Sequence, residues 1–146
     1  MQSTLPSLAI RRTYAASPER VFEVWTTPEL TKQLFGSGDV VVLEVTMDVR
    51  TGGTYRMVNR MPNGETWVLR GTYRDVRRPH RLQMTWVWEE DDPADERETL
   101  LTLEFNPHQG GTELVLTHAQ FASEDSRDGH ERGWVDILER LSGILA

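Results

Sequence analysis

Alternating hydrophobic and polar residues fill the middle of the chain, and this pattern predicts a series of β-strands. Within residues 54–60, Tyr55 and Met57 fall on one side and Arg56 and Arg60 on the other, as in a strand with one buried face. Short turn sequences such as Pro62-Asn63-Gly64 separate the strands, and turns of this length join antiparallel neighbours. The predicted strands cover residues 8–15, 40–49, 54–60, 65–76, 82–88, 99–105 and 112–121.

Three other segments have helical periodicity. Ser17 followed by Pro18 is typical of a helix start, because the serine side chain accepts from free N–H groups and proline has no N–H to satisfy. Residues 27–29 repeat this signal, and the second helix is expected to end at Gly36. The last helix is predicted to begin after Ser123 and to carry an apolar stripe, which consists of Trp134, Ile137, Leu138, Leu141 and Leu145.

The predicted order is therefore one strand, two helices, about six strands and one long helix. Helices that are separate along the chain from an antiparallel sheet define an α+β domain. We expect a curved antiparallel sheet that wraps around the apolar stripe of the C-terminal helix. A length of 146 residues suits one domain, so we expect residues 1–146 to form a single domain with residues 1–7 as a loose leader.

Composition and charge narrow the functional classes. The chain has no cysteine, which excludes disulfides and thiolate metal sites, and its net charge of −7 argues against a nucleic-acid partner. Arginines clustered between residues 70 and 81 are followed by acidic residues, as in a solvated hairpin with oppositely charged arms. The sequence contains no metal-ligand spacing, cofactor motif, membrane-spanning run or signal peptide pattern, so a cytoplasmic location is expected.

The inward-facing strand positions have an unusual chemistry, because they are rich in methionine and aromatic residues. Such side chains make an adaptable lining for a ligand pocket, but they also occur in solid cores. Gly71 either leaves room within one of these rows or marks a bend in the sheet. The candidates for the concave face are Tyr55, Met57, Trp67, Tyr73, Met84, Trp86, Trp88 and His118, with Trp134 facing them from the last helix.

Histidines are the only side chains with an ordinary pKa near neutrality, so each is a candidate acid or base. His80 and His108 lie in predicted turns and His130 lies near the start of the last helix, on its polar face. The alternation of residues 114–120 places His118 among inward residues. His118 is a hydrogen-bonded core histidine, a donor to a ligand, or an acid–base group.

Several short sequences, taken in order, resemble a known family. Residues 17–22, 25–29 and 48–56, then residues 71–76 leading to 79–82, the segment Met84-Thr85-Trp86 and the ending Gly133-Trp134 resemble the SRPBCC (START/Bet v 1-like) superfamily. More narrowly, they are similar to the branch homologous to the C-terminal domain of the activator of Hsp90 ATPase. The resemblance extends from about Leu8 to Leu145. One departure is Leu34-Phe35, where relatives often have tryptophan at the mouth of the pocket.

The resemblance implies a helix-grip fold, β-α-α-β6-α, with a cavity between the sheet and the final helix. It does not imply one activity, because relatives bind lipids, hormones, polyketides or other apolar molecules and some cyclise or dehydrate polyketides. From the residues and the resemblance together we expect a binding protein for a small apolar or amphipathic molecule, lipid-like or like an aromatic polyketide, and we assign no cofactor, metal or catalytic residue. The alternatives are a polyketide cyclase or dehydratase using His118, Tyr55 or Tyr73, and an Hsp90-related interaction module. Hsp90 activation is not expected without the activator's separate N-terminal domain, and a homodimer is left open. The pocket predicted from the residues and the resemblance together comprises Phe35, Tyr55, Met57, Trp67, Tyr73, Met84, Trp86, Trp88, His118, Trp134 and Leu138.

Overall fold

The structure is a computed structural model that describes residues 5–146. Its strands are β1 (Leu8–Tyr14), β2 (Val41–Met47), β3 (Thr54–Arg60), β4 (Thr66–Arg77), β5 (Arg81–Trp88), β6 (Glu98–His108) and β7 (Gly111–Ala119). The helices are α1 (Pro18–Thr26), α2 (Pro28–Phe35) and α3 (Glu124–Leu145), and a 3₁₀ turn spans Pro93–Asp95. The seven strands form one curved antiparallel sheet in the order β1-β7-β6-β5-β4-β3-β2. This architecture confirms the predicted α+β fold and its element order.

Helices α1 and α3 begin at the predicted capping residues. The Ser17 hydroxyl accepts from the backbone N–H of Arg20 at 3.2 Å, and the Ser123 hydroxyl accepts from that of Ser126 at 3.1 Å. Each bond satisfies a donor that the first helical turn leaves free. Thr27 makes no such side-chain bond at the start of α2. Local sequence signals therefore fix where α1 and α3 begin.

The hairpin between β6 and β7 is tighter than the sequence predicted. Residues 106–111 were expected to form a connecting loop, but the ladder continues to the pair His108↔Gly111. Only Gln109 and Gly110 remain in the turn, both with positive φ, at 48° and 81°, as two-residue hairpin turns require. Pro107 is tolerated within β6 because the pairing with β5 stops at Glu104, which leaves that part of β6 with an open edge.

The sheet opens locally in the middle of β4 and β5, and side chains replace the missing ladder bonds. The Tyr55 hydroxyl donates to the Thr85 carbonyl at 2.5 Å, and the Thr72 N–H donates to the Thr85 hydroxyl at 2.8 Å. A Cβ atom on Gly71 would lie 2.0 Å from the Thr85 carbonyl oxygen and 2.7 Å from the Tyr55 ring. Gly71 therefore does leave room, and the space is filled by Tyr55, its cross-strand partner.

Helix α3 packs its apolar stripe against the concave face of the sheet. Trp134, Leu138 and Leu141 are buried, and the Tyr14 hydroxyl of β1 donates to the Leu138 carbonyl at 2.9 Å. Burial raises the pKa of Tyr14 to about 12, so it remains a neutral donor that joins the first strand to the last helix.

The described part of the predicted leader is attached to the fold at one point. The Pro6 carbonyl accepts from the Phe121 N–H at 3.1 Å, and residues 1–4 lie outside the described residues. Within residues 5–146, no helix has the length and apolar character needed to cross a membrane.

Candidate functional site

A largely apolar cleft of about 510 Å³ lies between the first half of α3 and the concave face of β3, β4 and β5. Its volume falls within the range of about 300–1,000 Å³ that is usual for small-molecule sites. The strands, the end of α2 and the helix all contribute walls. The lining residues are Phe35, Val40, Met57, Asn59, Met61, Trp67, Leu69, Trp86, Trp88, Asp125, Ser126, Gly129, His130, Gly133, Trp134 and Ile137.

Aromatic rings in mutual contact form much of the wall. Trp86 and Trp134 approach with their ring centroids 5.1 Å apart, and Phe35 packs at 6.0 Å from Trp134 with an edge-to-face angle of 73°. Toward the opening, Trp67 and Trp88 pack edge to face at 5.8 Å. Phe35, at the end of α2, contributes an aromatic ring to this wall. The cleft therefore presents rigid, polarisable surfaces.

Two glycines of α3 leave part of the helix side of the cleft without side chains. Gly129 and Gly133 are four residues apart, so they lie on one face of the helix, and both line the cleft. A Cβ at Gly133 would meet no atom within 4 Å, and one at Gly129 would meet only the Arg132 side chain at 3.9 Å. Packing therefore does not require glycine here, although each glycine destabilises a helix interior by about 0.8–1.0 kcal/mol relative to alanine.

His118 lies behind the cleft wall in a continuous chain of hydrogen bonds. The Trp134 indole N–H donates to Nδ1 of His118 at 3.0 Å, which fixes the proton of the neutral ring on Nε2. That Nε2 lies 2.7 Å from the Thr99 hydroxyl, which in turn donates to the Trp86 carbonyl at 3.1 Å. Burial, with a smaller contribution from His130, lowers the pKa of His118 to about 3. Of the three roles considered for His118, the hydrogen-bonded core histidine fits this geometry.

His130 is a cleft residue that the sequence reasoning missed. It was assigned to the polar face of the last helix, but its ring lines the cleft, and its Nε2 accepts from the Trp88 indole N–H at 3.3 Å. The other nitrogen, Nδ1, lies 2.8 Å from the Ser126 carbonyl and donates to it. The available signal was the spacing, because His130 precedes Trp134 by four residues and so shares its face.

The structure divides the predicted pocket residues into two groups. Six of them line the cleft, and the other five lie in the surrounding core, where they are almost completely buried. Their role in ligand binding remains a prediction. The cleft group is Phe35, Met57, Trp67, Trp86, Trp88 and Trp134, and the core group is Tyr55, Tyr73, Met84, His118 and Leu138.

The residues named for the cyclase alternative all belong to the core group. Burial is the main cause that raises the pKa of both Tyr55 and Tyr73 well above the ordinary tyrosine value, and the Tyr55 hydroxyl is engaged by Thr85. His118 is neutral with both ring nitrogens hydrogen-bonded. These three side chains therefore offer no acid or base to a molecule in the cleft.

Trp86 contributes an unsatisfied donor to the wall. Its side chain is 5% exposed, and its indole N–H has no hydrogen-bond partner among residues 5–146. A buried donor without an acceptor destabilises a protein by about 1–3 kcal/mol. Trp25, which does not line the cleft, has a buried indole N–H without a partner as well, so this feature is not specific to the cleft.

The arginine cluster of β4 and β5 is paired with acidic side chains, as the interpretation of a solvated hairpin expects. Arg70 forms ion pairs with Glu89 and Glu96, and Arg81 pairs with Asp75 at 3.0 Å. Within the described chain, no group of three or more His, Asp or Glu side chains is placed to hold a metal ion.

A curved antiparallel sheet that grips a long C-terminal helix defines the helix-grip class of α+β proteins. Residues 15–146 match the model of the family described as Activator of Hsp90 ATPase homolog 1-like protein. The chain belongs to this family, as the resemblance indicated.

Solved structures share the fold over nearly the whole chain. Protein CV1439 from Chromobacterium violaceum is 21% identical, with a TM-score of 0.85 over 95% of this chain and 96% of that one. A protein from Rhodobacter sphaeroides is 28% identical, with a TM-score of 0.81 over 95% and 91% of the two chains. The AHSA1 protein from Silicibacter pomeroyi is 24% identical, with a TM-score of 0.81 over 96% and 97%. No curated protein matches the chain.

Proposed function

We propose that the protein binds a small apolar or amphipathic molecule in the cleft between α3 and the sheet. The observation that carries this proposal is the pair Gly129 and Gly133, which keeps part of the helix side of the cleft open. Side chains at these two positions would meet open space and would favour the helix. The absence of side chains at these two positions therefore leaves room in the cleft that a ligand could occupy.

Two further features support a ligand in this position. The aromatic wall supplies a large apolar contact surface that keeps its shape, since each ring packs on its neighbours. Trp67 lines the cleft and is 46% exposed, so it supplies a large aromatic surface at the opening that a ligand would cover. Both features belong to binding rather than to acid–base chemistry.

The test compares two glycine substitutions on the same helix. Gly133→Leu adds a side chain to the cleft, whereas Gly143→Leu adds one at a position that is also open but does not line the cleft. The probe is N-phenyl-1-naphthylamine, a neutral apolar dye whose fluorescence increases on binding. We expect at least tenfold weaker dye binding by Gly133→Leu, together with an unchanged or higher melting temperature.

Gly143→Leu is the matched control and should bind the dye as the unmodified protein does. Equal binding by Gly133→Leu and the unmodified protein contradicts a site in this cleft. If the unmodified protein does not bind the dye at all, the proposal that the cleft binds a small apolar molecule is contradicted directly. The melting temperatures show whether any loss of binding results from unfolding.

A further inference from the structure

We propose that the molecule bound in this cleft is a cationic amphiphile, with its apolar part in the cleft and its positive charge at the opening. This inference rests on the proposed function and specifies its ligand class. It is carried by the distribution of charge around the opening and by the aromatic rings exposed there.

The opening of the cleft is acidic. A second recess of about 630 Å³ continues from it and shares Trp67, Trp88 and His130 with it. The recess is lined by four carboxylates, Glu65, Glu89, Glu90 and Asp91, and Asp125 lines the cleft itself. Neither lining contains a lysine or an arginine. The local potential therefore favours a cation over a neutral or anionic group.

Three of these carboxylates are free to meet a ligand. Glu89 pairs with Arg70, and Glu65 accepts from the Trp67 indole N–H at 3.1 Å. The side chains of Glu90, Asp91 and Asp125 form no ion pair or hydrogen bond with any side chain or backbone group of residues 5–146. Unpaired carboxylates around an apolar opening provide the charge complementarity that an amphiphilic cation needs.

Aromatic faces lie at the same place as the free carboxylates. Trp67 is 46% exposed although it borders an apolar cleft, and its ring packs edge to face on Trp88. A cation over the face of tryptophan is attracted by the ring quadrupole. His130 lies beside these rings and is held by Trp88 and by the Ser126 carbonyl.

The acidic recess and the apolar cleft share one aromatic wall. Trp67 and Trp88 line both of them, so the carboxylates lie beside the apolar surface on which a tail would pack. The carboxylates thus belong to a larger site with apolar and charged parts.

The experiment uses three probes with the same tail: octyltrimethylammonium, octan-1-ol and octyl sulfate. The two ionic probes are kept below their micelle-forming concentrations, and octan-1-ol is kept below its solubility limit. Binding is measured by titration calorimetry with the full chain. We expect octyltrimethylammonium to bind about tenfold more tightly than octan-1-ol, and octyl sulfate to bind more weakly than either. Binding of the cation should weaken with added salt and should be lost in Gly133→Leu, which shows that it occupies the cleft.

Matched charge variants isolate the role of the opening. The variant Glu90→Gln, Asp91→Asn, Asp125→Asn should bring the preference for the cation over octan-1-ol down to about twofold or less. The control, Glu19→Gln, Glu29→Gln, Glu44→Gln, removes the same number of negative charges from exposed positions that line neither recess. Both sets include first-turn helix positions, so their effects on helix stability are comparable.

The outcomes separate the two proposals. If octan-1-ol binds in the cleft as tightly as the ammonium compound, or if both charge variants keep the full preference, the cationic ligand is overturned while the binding function stands. If none of the three probes binds while N-phenyl-1-naphthylamine does, the cationic ligand is overturned and the binding function stands; if the dye does not bind either, both proposals are overturned. If both charge variants lose the preference for octyltrimethylammonium over octan-1-ol equally, the preference results from net charge, and the cationic ligand is also overturned.

Discussion

Replacing His118 by glutamine tests whether the buried histidine is held neutral by its hydrogen bonds. His118 is completely buried, with Nδ1 accepting from Trp134 and Nε2 bonded to the Thr99 hydroxyl. A proton added to Nδ1 would break the bond from Trp134 and leave a charge in an apolar environment. His118→Gln retains one donor and one acceptor but removes the titration.

The magnitude follows from the shift in pKa. Burial lowers the pKa of His118 from 6.5 to about 3. Above pH 6.5 both folded and unfolded chains carry a neutral ring, so protonation of His118 does not lower the free energy of unfolding there. As the pH falls from 6.5 toward 3, only the unfolded chain takes up a proton, which lowers the free energy of unfolding. At pH 5 the loss from this one group is about 2 kcal/mol.

Urea unfolding followed by tryptophan fluorescence at several pH values between 7.5 and 5 provides the measurement. At pH 7.5, His118→Gln should be less stable than the unmodified protein because the network is altered. At pH 5 the free energies of unfolding of His118→Gln and the unmodified protein should lie about 2 kcal/mol closer together than at pH 7.5. The reason is that only the unmodified protein loses stability through this group. His108→Gln, at an exposed position near the end of β6, is the control and should show no narrowing.

The reasoning would be refuted if the free energies of unfolding of His118→Gln and the unmodified protein differed by the same amount at every pH in this range. It would mean that His118 takes up a proton equally in both states, so the hydrogen-bonded chain from Trp134 to Trp86 would not hold the ring neutral. A narrowing seen equally in His108→Gln would mean that the effect is not specific to the buried ring.

Two further predictions concern the opening in the sheet between β4 and β5. Gly71→Ala should lower the free energy of unfolding by about 3 kcal/mol, since its Cβ would lie 2.0 Å from the Thr85 carbonyl oxygen; stability within 0.5 kcal/mol of the unmodified protein would contradict the close approach. Tyr55→Phe should cost about 1–2 kcal/mol, because the Thr85 carbonyl loses its hydroxyl donor, and an unchanged midpoint in urea would show that another group replaces that donor.

Much of the fold could be predicted because its signals are local. Ser17 and Ser123 bond to free N–H groups within the next three residues, so their role is readable from a few neighbouring positions. Alternation along β3 identified its buried face, and residues 54–60 have the predicted limits. The predicted end of β6 was wrong, because the strand continues through residues 106–108. Its true end depends on where β5 stops pairing with β6, which is not a local property.

The candidate site could be predicted only in part. Alternation places Tyr55, Trp86 and His118 on the same face of the sheet, but a core position and a cleft position have the same period of two. The sequence therefore could not separate the six predicted residues that line the cleft from the five that are packed around it. His130 was missed for a related reason, because a polar residue on a helix was assumed to face solvent until Trp88 was found against it.

By itself, the sequence determined the order of elements, the antiparallel sheet, the helix starts and the family. The first three depend on spacing, capping or turn residues that are close together in the chain, and the family follows from the resemblance of its short sequence motifs. The tertiary structure decided which inward residues surround the cleft, that Gly129 and Gly133 border it, and that His118 is a neutral part of the core. These properties depend on how α3 lies across the curved sheet, and that contact joins residues that are distant in sequence.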